Sequence, residues 1–176
     1  PFRTYPTRDL ENWIAEFLLR AGLEDHIINS WKKPKDPRKW KDVMEAPAIR
    51  NFIGPDGKTL FSVHGAGEIH LVFSLFVDWF NPRGNKQAGK SHSIGAIYLI
   101  CLNLPPDIRY RPENVFLAGI IPGPNEPSNH QLNHLLRPLV DQLLVLWNPG
   151  IYLAETATRS GGRRVRAAVI PLVCDL

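Results

Sequence analysis

The chain has 176 residues, of which 44% are hydrophobic and 22% charged, as is usual for a folded globular protein and unlike a disordered one. Its 21 lysines and arginines against 17 aspartates and glutamates give a formal net charge of +4, which permits an anionic partner without requiring one. No apolar stretch approaches the roughly 20 residues that cross a bilayer, and the start of the chain lacks the pattern of a signal peptide. The two cysteines have no histidines at ligand spacing, which argues against a zinc site.

The first 60 residues are predicted to form a small helical and basic segment. Apolar residues at helical spacing within Leu10–Leu18 predict a helix, which we expect Thr7 to cap and Gly22 to end. Short helices are expected over Leu23–Ser30 and Val43–Ile53. The apolar side of the first helix is most simply a packing face.

A basic segment, Trp31–Lys41, separates these helices. It carries one acid, Asp36, against six cationic residues, which are Lys32, Lys33, Lys35, Arg38, Lys39 and Lys41. Lysines and arginines contact phosphates, and Trp31 and Trp40 could offer stacking faces to bases, so one interpretation is a nucleic-acid contact. The alternative is a solvated loop, broken by prolines, whose tryptophans pack back onto the helices.

Residues 61–176 are predicted to form an α/β core. Four apolar runs favour strands, and they span His70–Phe80, Ser93–Leu104, Val115–Ile121 and Arg166–Leu176. A helix is predicted from Ser128 to Trp147, and a hairpin over residues 151–166. Short links imply that the first three strands pair antiparallel. The long helical link implies a crossover that brings the fourth strand parallel to the first.

The loop after the first strand contains Gly84–Ser91, which matches the phosphate-binding pattern G-x-x-x-x-G-K-[ST]. In such a site Lys90 would reach the phosphates and Ser91 would hold magnesium. The pattern requires a helix after the loop, however, and a strand is predicted there. We therefore favour a flexible turn and keep a nucleotide hydrolase as the weaker alternative. The loop adds three cationic residues to the candidate nucleic-acid contacts, namely Arg83, Lys86 and Lys90.

Two acids end the first and last strands. Asp78 closes the run His70–Phe80, and Asp175 closes the run Arg166–Leu176. If these strands are parallel neighbours, both carboxylates emerge at the same edge of the sheet. Adjacent carboxylates repel unless a cation lies between them, and their hard oxygens suit Mg²⁺ or Mn²⁺. The sequence therefore predicts a two-metal site that acts on phosphodiesters.

Five motifs occur in order along this core, namely Asp78–Pro82, Asn103–Pro106, Ile121–Pro124, Leu136–Val140 and Cys174–Leu176. Together they resemble the transposases of CACTA-type (En/Spm-like) DNA elements, and most of all the forms abundant in basidiomycete fungi. The resemblance runs from about residue 61 to the end, and Tyr5–Arg20 also resembles the region upstream of that catalytic domain. Trp79 stands where many plant relatives have glycine, so the related Plavaka and Kyakuja–Dileera–Zisupton groups stay open.

The resemblance implies a ribonuclease H-like core with an acidic triad, in which Asp78 is the first acid and Asp175 the second. In the family the third acid lies well downstream, so we expect this chain to be part of a longer protein and to be inactive alone. The full protein would use Mg²⁺ or Mn²⁺ to cut and rejoin DNA at transposon ends in the nucleus, with assembly into a homo-oligomer left open. A non-catalytic nucleic-acid-binding module, co-opted from a transposon, is the other alternative.

Overall fold

The computed structural model describes residues 5–32, 39–65, 67–81 and 93–174, with only the backbone described for Cys174. The helices are α1 (Leu10–Leu18), α2 (Leu23–Ser30), α3 (Pro47–Arg50), α4 (Pro106–Arg109) and α5 (Asn129–Trp147). The strands are β1 (Glu68–Phe80), β2 (Ile94–Cys101), β3 (Val115–Ile121), β4 (Ile151–Leu153) and β5 (Arg163–Cys174). Two short 3₁₀ helices span Val43–Glu45 and Pro112–Asn114.

The five strands form one mixed sheet in the order β3-β2-β1-β5-β4. The first three pair antiparallel, and β5 pairs parallel to β1 after the crossover through α5. This confirms the predicted α/β class and the predicted pairing of the first and last long strands. The division of the chain at residue 60 into two units stays a prediction.

The sheet differs from the prediction at one edge. We expected four strands, with the last one beside the first and parallel to it, but Ile151–Leu153 forms a fifth strand that pairs antiparallel with β5 and lies outside it. This strand comes from the predicted hairpin over residues 151–166. The antiparallel pairing of Ile151 with Val165 and of Leu153 with Arg163 confirms that hairpin, and what the prediction lacked is its place in the sheet.

The strand β1 is buried on both faces along its first half, as its unbroken apolar run predicted. Alternate residues Leu71 and Phe73 join a cluster with helices α1 and α5 on one face. Val72 joins a second cluster with Met44 and Phe61 on the other face. From residue 75 onward burial decreases, and the strand becomes accessible near its carboxyl end.

The helix ends differ in detail from those predicted. Asp9, not Thr7, caps α1, because its side chain accepts a hydrogen bond from the backbone N–H of Asn12 at 2.8 Å. Thr7 instead forms an isolated β-bridge to Gly119. The helix α1 ends at Leu18, and Gly22, whose φ is +82°, precedes α2 rather than ending a longer α1. At α5 the predicted start is confirmed, since Ser128 and Gln131 form a reciprocal capping box.

Candidate functional site

Asp78 lies near the carboxyl end of β1 with its side chain exposed, opposite Ala96 of β2. Two residues earlier, Phe76 stacks on Tyr98 with ring centroids 4.9 Å apart and planes inclined by 3°. Burial raises the pKa of Tyr98 above its ordinary 10.0, and the negative charge of Asp78 raises it further. The carboxylate is therefore accessible and within electrostatic reach of the tyrosine hydroxyl.

A bulge sets the register between β1 and β5. Phe73 lies opposite Val169, but Leu75 lies opposite Leu172, so Ile170 and Pro171 together face the single residue Ser74. Proline has no N–H to donate to the strand ladder, which accounts for a bulge at this position. The Ser74 hydroxyl is buried and has no hydrogen-bond partner among the described residues.

Beyond the bulge the strand partners are 97 positions apart in the chain, since Leu75 faces Leu172 and Val77 faces Cys174. In the sequence Asp78 follows Val77 and Asp175 follows Cys174, so the two acids differ by the same 97 positions. Asp175 lies outside the described residues, so the predicted pair of carboxylates stays a prediction. Within the described ranges, no group of three or more His, Cys, Asp or Glu side chains could hold a metal ion.

Two features pack closely around this end of the sheet. A Cβ atom on Gly95 would lie 2.6 Å from the Trp79 ring, so Trp79 covers Gly95 directly across the strand pair. A Cβ atom on Gly123 would clash with the carbonyl oxygen of Ser93, and Ser93 donates its backbone N–H to the carbonyl of Pro124 at 3.2 Å. The motif Ile121–Pro124 therefore crosses the start of β2 close to the strand end that bears Asp78.

A cavity of about 690 Å³ lies between α2, the Val43–Glu45 turn and the Leu102–Pro106 corner, and we call it the basic cleft. Its lining lysines and arginines are Lys32, Lys39, Lys41, Arg50 and Arg109, and His26 and the acids Asp42 and Glu45 also line it. Three of these, Lys32, Lys39 and Lys41, belong to the predicted nucleic-acid contacts. The other predicted contacts lie outside the described residues, and they are Lys33, Lys35, Arg38, Arg83, Lys86 and Lys90.

The guanidinium groups of two arginines in the cleft are bound to other groups of the protein and hold the cleft in shape. Arg109 is buried, forms an ion pair with Asp42 at 2.8 Å, and also donates to the carbonyls of Leu102 and Leu104. Arg50 donates to three carbonyls at the end of α2, which belong to Ser30, Trp31 and Lys32. By contrast, no hydrogen bond or ion pair between described residues involves the side-chain ammonium of Lys32, Lys39 or Lys41.

The motif Asn103–Pro106 forms one wall of the cleft. Asn103 is buried, and its side-chain oxygen accepts the backbone N–H of Val72 at 2.7 Å while its nitrogen donates to the Ser30 hydroxyl at 2.9 Å. This amide ties α2 to β1. The sequence analysis singled out this motif but did not predict its structural role. It also did not predict the contact between Arg109 and Asp42, which are 67 positions apart.

The two tryptophans of the basic segment behave differently. Trp31 donates its indole N–H to the carbonyl of His70 at 2.9 Å and packs edge-on against Phe61, so it contacts the body of the protein. Trp40 is 60% exposed and lies between the two cleft residues Lys39 and Lys41. A stacking role toward bases stays a prediction for both residues.

The phosphate-loop match over Gly84–Ser91 lies outside the described residues. The next described element is β2, a strand, where a phosphate-binding loop requires a helix. No helix in the described ranges is long and apolar enough to span a membrane.

A search of curated proteins and a search of solved structures each found no match to the chain. A scan against family models matched one described as transposase family tnp2 over residues 29–176. The match begins inside α2 and includes the basic cleft lysines, the whole sheet and both predicted acids. The chain therefore belongs to the tnp2 family of transposases.

Proposed function

We propose that the chain contributes to a ribonuclease H-like transposase core, in which Asp78 and Asp175 are two acids of a metal-binding triad. One observation carries the proposal, namely the parallel pairing of β1 with β5 at an offset of 97 positions beyond the bulge. If the register continued by one residue, it would set Asp175 opposite Asp78. Paired residues of adjacent strands lie about 5 Å apart and on the same face of the sheet.

The donors fit Mg²⁺ or Mn²⁺, because carboxylate oxygens are the hard ligands that both ions prefer and Asp78 is exposed to receive a hydrated ion. When bound there, such ions stabilise the charge on phosphodiester oxygens and activate water or a 3′-hydroxyl. Two carboxylates leave most of the coordination sphere to water. We therefore propose that these residues alone bind the ion weakly and do not cut DNA.

The metal site is tested by following Mn²⁺-induced broadening of the amide signals of β1. We expect the broadening near Asp78 to disappear in Asp78→Asn and in Asp175→Asn, and to persist in Asp107→Asn, which removes another exposed acid. Broadening that is unchanged in Asp78→Asn would favour a non-catalytic, co-opted module over the nuclease.

We further propose that the basic cleft contacts the phosphates of transposon DNA through Lys32, Lys39 and Lys41. These lysines line a concave surface, and their ammonium groups form no ion pair with other described residues. Each neutralised phosphate contributes about 0.9 to the slope of log affinity against log salt concentration. Replacing each lysine by glutamine should lower that slope by about this amount.

The matched control is Lys58→Gln, since Lys58 is an exposed lysine outside the cleft. Fluorescence anisotropy of a labelled duplex at several salt concentrations measures the slope. If the three cleft variants behave like the Lys58 variant, the cleft is not the phosphate contact.

The finer assignment to CACTA-type elements rests on the five ordered motifs, two of which have structural roles beside the proposed sites. Asn103–Pro106 forms a wall of the basic cleft, and Ile121–Pro124 lies at the Asp78 end of the sheet. A fungal origin, action in the nucleus and assembly of several copies on DNA belong to the same proposal.

A further inference from the structure

Around Asp78 the sheet has one packed face and one open face. Val77 is buried in the cluster with α1 and α5, so Asp78, the next residue of β1, lies on the opposite face. On that face Leu117 and Ile120 of β3 are each 41% exposed, and Phe80 of β1 is 49% exposed. The described residues therefore leave this part of the sheet accessible to a ligand that approaches Asp78.

Tyr98 lies on the same open face. It pairs with Phe76 while Asp78 pairs with Ala96, so the tyrosine and the carboxylate are diagonal neighbours on adjacent strands. Diagonal neighbours lie about 7–8 Å apart, which is within reach of an aromatic side chain. Beyond Leu75, the other paired residues of β1 and β2 on this face are apolar, namely Phe76, Phe80, Ile94 and Ala96. Asp78 and Tyr98 are thus the two polar side chains that this pair of strands offers there.

The Tyr98 ring is held by its neighbour, and its hydroxyl is kept protonated. Phe76 stacks on the ring with centroids 4.9 Å apart, which restricts the positions that the hydroxyl can take. Burial, followed by the negative charge of Asp78, raises the pKa of Tyr98 above its ordinary 10.0. At neutral pH the hydroxyl therefore serves as a hydrogen-bond donor, and not as a base or a nucleophile.

We propose that Tyr98 is a substrate-binding residue of the Asp78 site, and that its hydroxyl donates a hydrogen bond to a phosphate oxygen of the DNA strand bound there. This inference rests on the proposed function, because a phosphate approaches the carboxylate only when a cation lies between the two negative charges. The hydroxyl is neutral, so it meets the phosphate without repulsion. Hydrogen bonds to a charged oxygen are about twice as strong as those between neutral groups, so this contact would fix the phosphate beside Asp78.

The test measures the DNA affinity of the whole chain with and without Mn²⁺ at one ionic strength. Tyr98→Phe keeps the ring that stacks on Phe76 and removes the hydroxyl alone. With Mn²⁺, we expect this variant to bind a labelled duplex about tenfold more weakly than the wild type, as the loss of one hydrogen bond to a charged group predicts. Without Mn²⁺ the two should bind equally. The matched control is Tyr110→Phe, which changes a 59% exposed tyrosine beyond the opposite end of β2 and should bind as the wild type does under both conditions.

A second measurement needs no variant. The ¹³Cζ signal of Tyr98 should shift when the duplex is added together with Mg²⁺, because the hydroxyl then donates to a phosphate oxygen instead of to water. An unchanged signal would overturn the inference, as would equal binding by Tyr98→Phe and the wild type in Mn²⁺.

The carboxylate site and the Tyr98 contact fail in different ways. If Asp78→Asn gains as much DNA affinity from Mn²⁺ as the wild type does, the carboxylate site is refuted, and the Tyr98 contact with it. If the gain requires Asp78 but not the Tyr98 hydroxyl, the carboxylate site stands and only the Tyr98 contact is refuted. A loss in Tyr98→Phe that is equally large without Mn²⁺ also refutes that contact, because the hydroxyl would then act away from the cation.

Discussion

Replacing Glu24 by alanine should destabilise the protein strongly, because Glu24 is a fully buried charge that joins α2 to the segment before β5. Its carboxylate is 0% exposed and pairs with Arg163 at 2.8 Å. It also accepts hydrogen bonds from the hydroxyls of Thr156 and Thr158 at 3.1 and 2.6 Å. The alanine variant would leave the buried Arg163 guanidinium unpaired, and the Nε of that group already lacks a hydrogen-bond partner among the described residues.

Removing one partner of a buried ion pair costs about 3–5 kcal/mol, which is a large part of the roughly 5–15 kcal/mol that stabilises a typical domain. The assay is urea unfolding followed by circular dichroism, with the free energy of unfolding extrapolated to water. The matched control is Asp141→Ala, which breaks the pair between Arg137 and Asp141, whose side chains are 73% and 53% exposed. We expect that control to cost at most about 0.5 kcal/mol. A Glu24→Ala variant as stable as the control would refute the reasoning.

Three further predictions concern the sheet and its surroundings. Gly95→Val should destabilise the protein by forcing the Trp79 ring away, and the double variant with Trp79→Gly should recover most of the loss, as urea unfolding of the four proteins would show. Asp78→Asn should lower the pKa of Tyr98 because it removes a charge that raises it, and a ¹³C NMR titration of the tyrosine ring carbons that detects no change would contradict this. Burial, followed by the charge of His70, lowers the pKa of His64 below 6.5, so the unfolded chain binds the proton more readily and stability should fall as pH drops through 6.5. His64→Phe should lose less stability than the wild type between pH 7.5 and 5.5, and an equal loss would assign the pH dependence to other groups.

The strands and helices that have long hydrophobic patterns could be predicted from the sequence. The apolar run of β1 indicated a strand buried on both faces, and the helical period of α5 together with Ser128 located its start. Loop lengths then fixed which strands pair and in which direction. These predictions rest on periodicity and chain connection, which are local properties.

The parts that could not be predicted depend on distant contacts or on single residues. The ion pair between Asp42 and Arg109, which shapes the basic cleft, joins residues 67 positions apart with no pattern to connect them. Pro171 does indicate a bulge beside Ser74 in the sequence, because proline cannot donate to the strand ladder. Its effect on the register can be predicted only once the pairing of β1 with β5 is known. The cap of α1 was misassigned because Thr7 and Asp9 are both good capping residues, and only the bridge to Gly119 decides between them.

The position of Asp175 relative to Asp78 is measured most directly by disulfide trapping. The two aspartates are replaced by cysteine in a Cys174→Ala background, and Cys101 stays unreactive because burial raises the pKa of its thiol to about 12. Neighbouring strand residues about 5 Å apart fall within the 4.4–6.8 Å between Cα atoms that a disulfide requires. We expect rapid cross-linking on mild oxidation, read by mass spectrometry of the digest, and none when Asp78→Cys is combined with Leu172→Cys, three positions out of register. Cross-linking of the Leu172 pair in preference to the Asp175 pair would contradict the shared carboxylate site.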